Sequence, residues 1–185
     1  MMPWHYREDR ATQAAARLLN LRGGNMSYMK LIKLLYFADR KALAELGRPI
    51  TFDHYVSMPH GPVLSRTYDL ISAEPDPGVE SYWRQYVSQR DTSYDVHLLR
   101  DEVPNDQLSS AEEAILDGIF AEWGRKSRYQ VRDHSHTLPE WTDPHGSSYP
   151  INVRDVLLAQ GRTQEDAEEI EAALAAESAL HALVA

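Results

Sequence analysis

The sequence predicts a mainly α fold of the α+β class, in which a helical bundle surrounds a central buried helix and carries a small antiparallel β element. Residues 28–46 contain neither proline nor glycine and consist largely of strong helix formers, so they predict one long helix. On a 3.6-residue wheel the apolar residues of this stretch cover more than half of the circumference, whereas a surface helix needs a narrower stripe. The helix is therefore predicted to be packed on two sides. These apolar residues are Leu31, Ile32, Leu34, Leu35, Tyr36, Ala38, Ala42, Leu43 and Leu46.

The segments on either side of the central helix predict one helix before it and a short extended region after it. Residues 4–21 predict a first helix that two glycines, Gly23 and Gly24, bring to an end. Ser27 suits the N-cap position of the central helix. Residues 50–58 are rich in aromatic and β-branched side chains, and we expect a short strand at about 54–58.

The next segment is expected to turn and to become helical again. Gly61 and Pro62 form a turn signal, and Pro62 suits the first turn of a helix that runs to about Ile71. Glycine at 61 is expected to supply an unusual backbone angle. The second extended region is expected within 84–100. Tyr94, Val96 and Leu98 alternate there with polar residues and predict a strand, with 86–87 as its hairpin partner.

The last third of the chain predicts four helices. Ser109 and Glu112 have the spacing of a capping box and predict a helix that ends near Trp123. A short helix is expected at 129–136, followed by a loop. Two closing helices are expected at 152–160 and 165–183, the second with Thr163 as its N-cap. The apolar face of the second closing helix is interrupted, so this helix is predicted to be peripheral.

Two residues of the central helix do not fit a simple core helix. Asp39 lies within the apolar arc, and a buried carboxylate is costly unless it is paired or hydrogen-bonded. We therefore expect Asp39 to be a structural anchor held by an arginine, a histidine or backbone amides. Phe37 lies on the narrow polar arc beside Lys33 and Arg40. Either another segment covers Phe37, or this arc is a basic surface with an aromatic centre that binds a partner.

Composition narrows the class of protein. The 185 residues suffice for one domain with a core, and a net charge of −9 argues against broad nucleic-acid binding. The absence of cysteine excludes disulfides, thiolate metal sites and cysteine nucleophiles. No apolar run is long enough for a membrane span, and the N-terminus lacks the apolar core of a signal peptide. These features predict a soluble, cytoplasmic protein without membrane contact.

Motifs for catalysis and cofactor binding are weak or missing. The sequence contains no nucleophile elbow, phosphate-binding loop or dinucleotide fingerprint, so no cofactor is expected. His134, His136 and His145 lie near acidic residues, and zinc binds such ligands, but their spacing fits no tight metal signature. We therefore expect no functional metal. A small metal-dependent hydrolase that uses His134 and His136 remains the alternative from another class.

Three blocks of sequence together resemble a known family. They are KLIKLLYFADRKAL at 30–43, GRPIT at 47–51 and YVSMPHGPV at 55–63, with Tyr68 just beyond. In this order and spacing they resemble the Panacea domain, the SocA-like antitoxin domain of bacterial and phage toxin–antitoxin systems. HSHTLPEW at 134–141 adds a weaker similarity, because the family places a histidine and then a tryptophan near the end of the domain. The resemblance covers roughly residues 11–142. We expect the domain to occupy 1–150 and residues 151–185 to be a helical extension packed on it.

The resemblance implies a function without catalysis, namely that the chain neutralises a cognate protein toxin by binding it directly. At least one relative acts as an adaptor that delivers its toxin to a protease, so a protease or a chaperone is a further candidate partner. Some relatives carry a DNA-binding helix-turn-helix, but no helix pair in the flanks of this chain has the required turn and basic face, which argues against DNA binding. A phage accessory protein that reuses the same domain is a third alternative.

A toxin-binding surface needs an apolar, aromatic contact area with polar residues at its rim. Two segments at the strongest part of the resemblance meet this requirement. Either they form one groove, or they are simply a core segment and a tight turn. The candidate partner-binding residues are Lys33, Phe37, Arg40, Tyr55, Met58, His60 and Tyr68. The expected structural anchors are Asp39, Gly61, Pro62 and Trp141.

Overall fold

The computed structural model describes residues 4–74 and 77–184. The helices in these residues are α1 (Glu8–Arg22), α2 (Tyr28–Leu46), α3 (Ser65–Ser72), α4 (Trp83–Tyr86), α5 (Ser110–Trp123), α6 (Arg128–Ser135), α7 (Val153–Ala159) and α8 (Gln164–Val184). The strands are β1 (Asn25–Ser27), β2 (Tyr55–Met58), β3 (Gly61–Leu64), β4 (Asp95–His97) and β5 (Tyr149–Pro150). Two small antiparallel sheets accompany the helices, with strand orders β1–β4 and β3–β2–β5. The predicted fold class is confirmed.

Helix α2 is the centre of the fold. It contacts α1, α5, α6 and α7 as well as strands of both sheets, and twelve of its 19 residues are buried. Its bounds are those predicted, because its end depends on a local signal: Gly47 adopts φ 70° and donates its N–H to the carbonyl of Leu43. Ser27 occupies the N-cap position, as predicted, but its side chain makes no capping hydrogen bond.

The N-terminal segment is helical only from Glu8, later than predicted. Trp4 lies in irregular chain, where its indole Nε1 donates to the carbonyl of Asp53 at 3.2 Å and its ring is buried in the core. Helix α1 ends as predicted, because Gly23 and Gly24 both have positive φ.

The predicted helix start at Pro62 is wrong, because 61–64 form a strand. Strands β2 and β3 form a tight hairpin, in which Pro59 and His60 connect the two strands. Helix α3 begins after this hairpin, where the buried carboxylate of Asp53 accepts hydrogen bonds from the backbone N–H groups of Arg66 and Thr67. Asp53 thus stabilises the start of α3, although it lies twelve residues before the first residue of that helix. Local helix signals do not extend over such a separation in sequence.

The predicted hairpin within 84–100 is also largely wrong. Residues 83–86 form the one-turn helix α4, and the strand near Val96 pairs with β1 rather than with its neighbour in sequence. In the described residues, the structure contains only a single bridge of the predicted pairing, between Val87 and Leu98. The pairing of β4 with β1 connects the segment after α1 to the chain about seventy residues later.

The C-terminal half contains the capping box between Ser109 and Glu112 that the sequence predicts. A second capping box, between Ser127 and Gln130, starts α6. Helix α7 packs against α2 and α8, and the side-chain amide of Gln160 donates to the carbonyl of Arg40 at 2.7 Å. Helix α8 buries Ala167 and Leu174, while most of its other described side chains are exposed or half-buried.

Candidate functional site

Asp39 joins the central helix to the segment that follows it. Its carboxylate is fully buried and accepts hydrogen bonds from the backbone N–H groups of Ile50 and Thr51, both at 2.9 Å. The hydroxyls of Thr51 and Tyr55 donate to the other carboxylate oxygen at 2.5 and 3.3 Å. The sequence left three kinds of partner open, and the structure shows backbone amides together with two hydroxyls. Burial raises the pKa of Asp39 to about 7, although these hydrogen bonds act in the opposite direction.

A second buried carboxylate lies beside the middle of α2. The side chain of Glu140 is fully buried and accepts hydrogen bonds from the Tyr36 hydroxyl at 3.0 Å and from the Arg40 guanidinium at 2.6 Å. Arg40 is therefore occupied in an ion pair that holds the 138–142 loop against α2. Trp141 contributes to the same attachment, because its indole Nε1 donates to the carbonyl of Met58 at 3.0 Å.

The seven candidate partner-binding residues differ in their access to solvent. Lys33, Phe37 and Tyr55 are 1%, 5% and 1% exposed, so none of these side chains offers a surface to a partner in this structure. For Phe37 the structure shows the first of the two alternatives, since its ring packs 5.5 Å from those of both Trp123 and His134. The remaining four reach the surface at least in part: Arg40, Met58, His60 and Tyr68.

A small apolar cavity brings together four of these seven residues. Lys33, Met58, His60 and Tyr68 line a space of about 50 Å³ between the start of α2, the β2–β3 hairpin and α3. The other lining residues are Tyr28, Met29, Ile32, Pro59 and Val63. Tyr28 is a lining residue that sequence reasoning missed. It precedes Ile32 by four positions, and this spacing places the two on one face of α2.

Lys33 reaches this cavity from the core. Its ammonium nitrogen donates to the carbonyl of Pro62 at 2.6 Å, and burial lowers the pKa of Lys33 to about 7. Gly61 makes room for this arrangement. It adopts φ +94°, and a Cβ atom at this position would lie 2.9 Å from Lys33 Nζ and closer still to Ser135 Oγ. The Gly61-Pro62 pair therefore fixes the hairpin against α2 and α6.

A separate depression contains Phe37 and Arg40. It has a volume of about 230 Å³ and lies between α2, α5, the start of the 138–142 loop and Gln160. No residue lines both this depression and the small apolar cavity. Phe37 and Arg40 therefore do not share a groove with Met58, His60 and Tyr68, whereas Lys33 does.

The histidines occupy different surroundings. The ring of His134 stacks on Trp123 with centroids 4.2 Å apart, whereas that of His136 stacks on Trp141 at 4.3 Å. Burial lowers the pKa of both imidazoles. His145 is exposed beside Asp143. Within 4–74 and 77–184, no group of three or more histidine, aspartate or glutamate side chains is placed to hold a metal ion, so the structure does not support the hydrolase alternative.

Together, the fold and the site define a mainly helical domain with a small apolar cavity at its surface. No helix in the described part of the chain is long and apolar enough to cross a membrane. The chain belongs to the family described as antitoxin SocA-like, Panacea domain, whose model matches residues 31–142, more than half of the sequence. No curated protein and no solved structure matches the chain.

Proposed function

We propose that this chain is an antitoxin that neutralises a cognate protein toxin by direct binding, without a catalytic step. The observation that carries this proposal is the family match, which covers α2 from Leu31 onwards, the β2–β3 hairpin and the chain up to Thr142. A protein of this kind acts where the toxin is made, so we place it in the cytoplasm. We further infer that residues 1–150 are the binding domain and that 151–185 form an extension packed on it.

We infer that the toxin contacts the face around the small apolar cavity. Met58, His60 and Tyr68 surround this cavity and are accessible at least in part, and they lie within the matched region. Apolar and aromatic side chains with polar neighbours are the composition that binding hot spots favour. Lys33 lines the cavity from the core, and the buried residues Lys33, Phe37 and Tyr55 are not contact residues in this proposal.

The proposal is tested by growth rescue in cells that express the product of the gene next to that of this chain. We expect the wild-type chain to restore growth, and we expect Met58→Ala and Tyr68→Ala to melt normally but to lose rescue. Leu158→Ala is the matched control, because Leu158 is 41% exposed on α7, which packs near the opposite end of α2. Rescue by both cavity variants at the wild-type level would exclude this face.

Neutralisation by blocking and neutralisation by delivery to a protease predict different toxin half-lives. If the chain only covers the toxin, the half-life of the toxin stays constant or increases in the presence of the wild-type chain. If the chain delivers the toxin to a protease, the half-life becomes shorter. A pulse-chase measurement with and without the chain distinguishes the two mechanisms.

A further inference from the structure

Arginine and tyrosine side chains alternate along one face of the molecule, next to the small apolar cavity. They come from three distant parts of the sequence: the start of α2, the loop before β4 and the first turns of α6. We call this set the Arg–Tyr strip, and its residues are Tyr94, Arg90, Tyr28, Arg128, Tyr129 and Arg132.

The strip consists of two groups of cation–π contacts. The guanidinium of Arg90 lies 5.4 Å from the ring centroid of Tyr28 and 5.5 Å from that of Tyr94. At the other end, Tyr129 lies between the guanidiniums of Arg128 and Arg132, at 5.0 and 5.4 Å. Cation–π contacts of this kind hold a guanidinium in place without neutralising it.

Tyr28 is in contact with Arg90, and the charge of Arg128 also acts on its hydroxyl. Partial burial raises the pKa of the Tyr28 hydroxyl, and both Arg90 and Arg128 act against that rise because their positive charges favour the ionised hydroxyl. The ring of Tyr28 also lies 6.5 Å from that of Tyr68, and both tyrosines line the small apolar cavity. The strip and the cavity therefore form one continuous surface.

Two cations of the strip are available for a partner. Among the described residues, neither Arg90 nor Arg128 has a carboxylate within salt-bridge distance. Three carboxylates lie along the strip. Asp133 pairs with Arg132, and Asp91 accepts hydrogen bonds from the backbone of its own loop. Asp95 acts on Arg128 only through its charge.

The available cations belong to a chain whose net charge is −9. An acidic protein repels acidic partners in general, so such a partner needs a local site where cations without a described carboxylate partner lie beside aromatic side chains, as Arg90 and Arg128 do here. Tyrosine and arginine are also the residues most enriched at protein–protein hot spots. Tyr94 and Tyr129 are about half exposed, at 52% and 51%, and supply the aromatic area.

We propose that the Arg–Tyr strip binds an acidic segment of the toxin, in which carboxylates contact Arg90 and Arg128. A small aliphatic side chain of the same segment enters the adjoining cavity. This inference rests on the proposed antitoxin function and adds the chemistry of the partner. The apolar lining of the cavity suits an aliphatic side chain of a protein better than the charged backbone of a nucleic acid.

The test measures how tightly the wild-type chain and its variants bind the purified product of the adjacent gene. Binding is measured by isothermal titration calorimetry at low and at high salt. We expect Arg90→Gln/Arg128→Gln to weaken binding at least about tenfold at low salt. The loss is expected to shrink at high salt, because salt screens the wild-type contacts. Arg100→Gln is the matched control: Arg100 is an exposed arginine that also lies over a tyrosine ring, that of Tyr86, outside the strip. Each single variant, Arg90→Gln and Arg128→Gln, is measured as well, together with its thermal melt, so that misfolding of the double variant does not decide the result.

The outcomes separate this inference from the proposed function. If the wild-type chain binds and the folded single variants bind as tightly as Arg100→Gln, the strip is excluded while the antitoxin function stands. If the wild-type chain neither binds nor neutralises, the antitoxin function is refuted and this inference with it. If the wild-type chain binds a 20-nucleotide single-stranded DNA and the strip variants do not, the partner class is overturned in favour of nucleic acid.

Discussion

Replacement of Asp39 by alanine tests whether the central helix is anchored by its one buried carboxylate. The change removes the acceptor for the buried backbone N–H groups of Ile50 and Thr51. An unsatisfied buried donor costs about 1–3 kcal/mol. Loss of the buried charge offsets part of this cost, because burial disfavours the ionised form of Asp39. We therefore expect Asp39→Ala to lower the free energy of unfolding by about 2–4 kcal/mol.

Asp39→Asn separates the hydrogen bonds from the charge. Its amide oxygen still accepts from the two backbone N–H groups, so we expect a smaller loss than for alanine. The pKa of Asp39 is about 7 in the folded state against an ordinary value of 3.8. As the pH rises, the folded wild type therefore keeps the Asp39 proton up to a higher pH than the unfolded chain does. The resulting stabilisation of the folded state is full below about pH 3.8 and is lost by about pH 7. The deficit of Asp39→Asn is therefore expected to be larger at pH 5 than at pH 8.

Urea melts followed by circular dichroism measure both effects. The control is Lys41→Gln, because Lys41 is partly exposed and its only ion pair with a described residue is the surface contact with Glu45 at 3.7 Å. This variant is expected to cost well under about 1 kcal/mol. Identical midpoints and slopes for Asp39→Ala and the wild type would refute the anchoring role. An Asp39→Asn deficit that does not change with pH would refute the raised pKa.

Three further predictions concern the hairpin, the buried lysine and the histidines. Gly61→Ala is expected to lower the free energy of unfolding by about 2 kcal/mol or more, because φ is positive and the new Cβ meets Lys33 and Ser135; an unchanged melting temperature would contradict this. The pKa of Lys33 is lowered from 10.5 to about 7, so stability should increase as the pH rises from about 7 to about 10.5. Urea melts of Lys33→Met should lack that increase. The wild-type chain should retain less than stoichiometric zinc after dialysis against a chelator; stoichiometric zinc that the His134→Ala/His136→Ala variant lacks would revive the hydrolase alternative.

The sequence predicted those elements whose signals are local. The bounds of α2 follow from its helix formers and from Gly47, and α5 follows from the capping box at Ser109. The strand from Gly61 to Leu64 escaped prediction because it depends on pairing with β2 and because Asp53 delays the start of α3. A proline after a glycine turn is equally consistent with a helix start and with an edge strand.

The candidate site was predictable only in part, for the same reason. Lys33, Met58, His60 and Tyr68 were selected from adjacent blocks of sequence, and the structure places all four around one cavity. The burial of Phe37 depends on Trp123 and His134, which are distant in sequence. The Arg–Tyr strip joins residues near 28, 90 and 128, and no periodicity within a window of sequence reveals such a set.

The two halves of the central helix are expected to differ in what they contribute: the C-terminal half to stability and the N-terminal half to binding. Towards its C-terminus, Asp39 and Arg40 attach α2 to 50–55 and to the 138–142 loop through buried hydrogen bonds. Towards its N-terminus, Tyr28 is half-buried and lines the cavity beside the Arg–Tyr strip. Changes in a fixed, buried network reduce stability, whereas changes at an accessible surface mainly affect binding. Stability and toxin binding are therefore expected to separate along one helix, with Asp39→Ala lowering the free energy of unfolding and Tyr28→Ala lowering affinity.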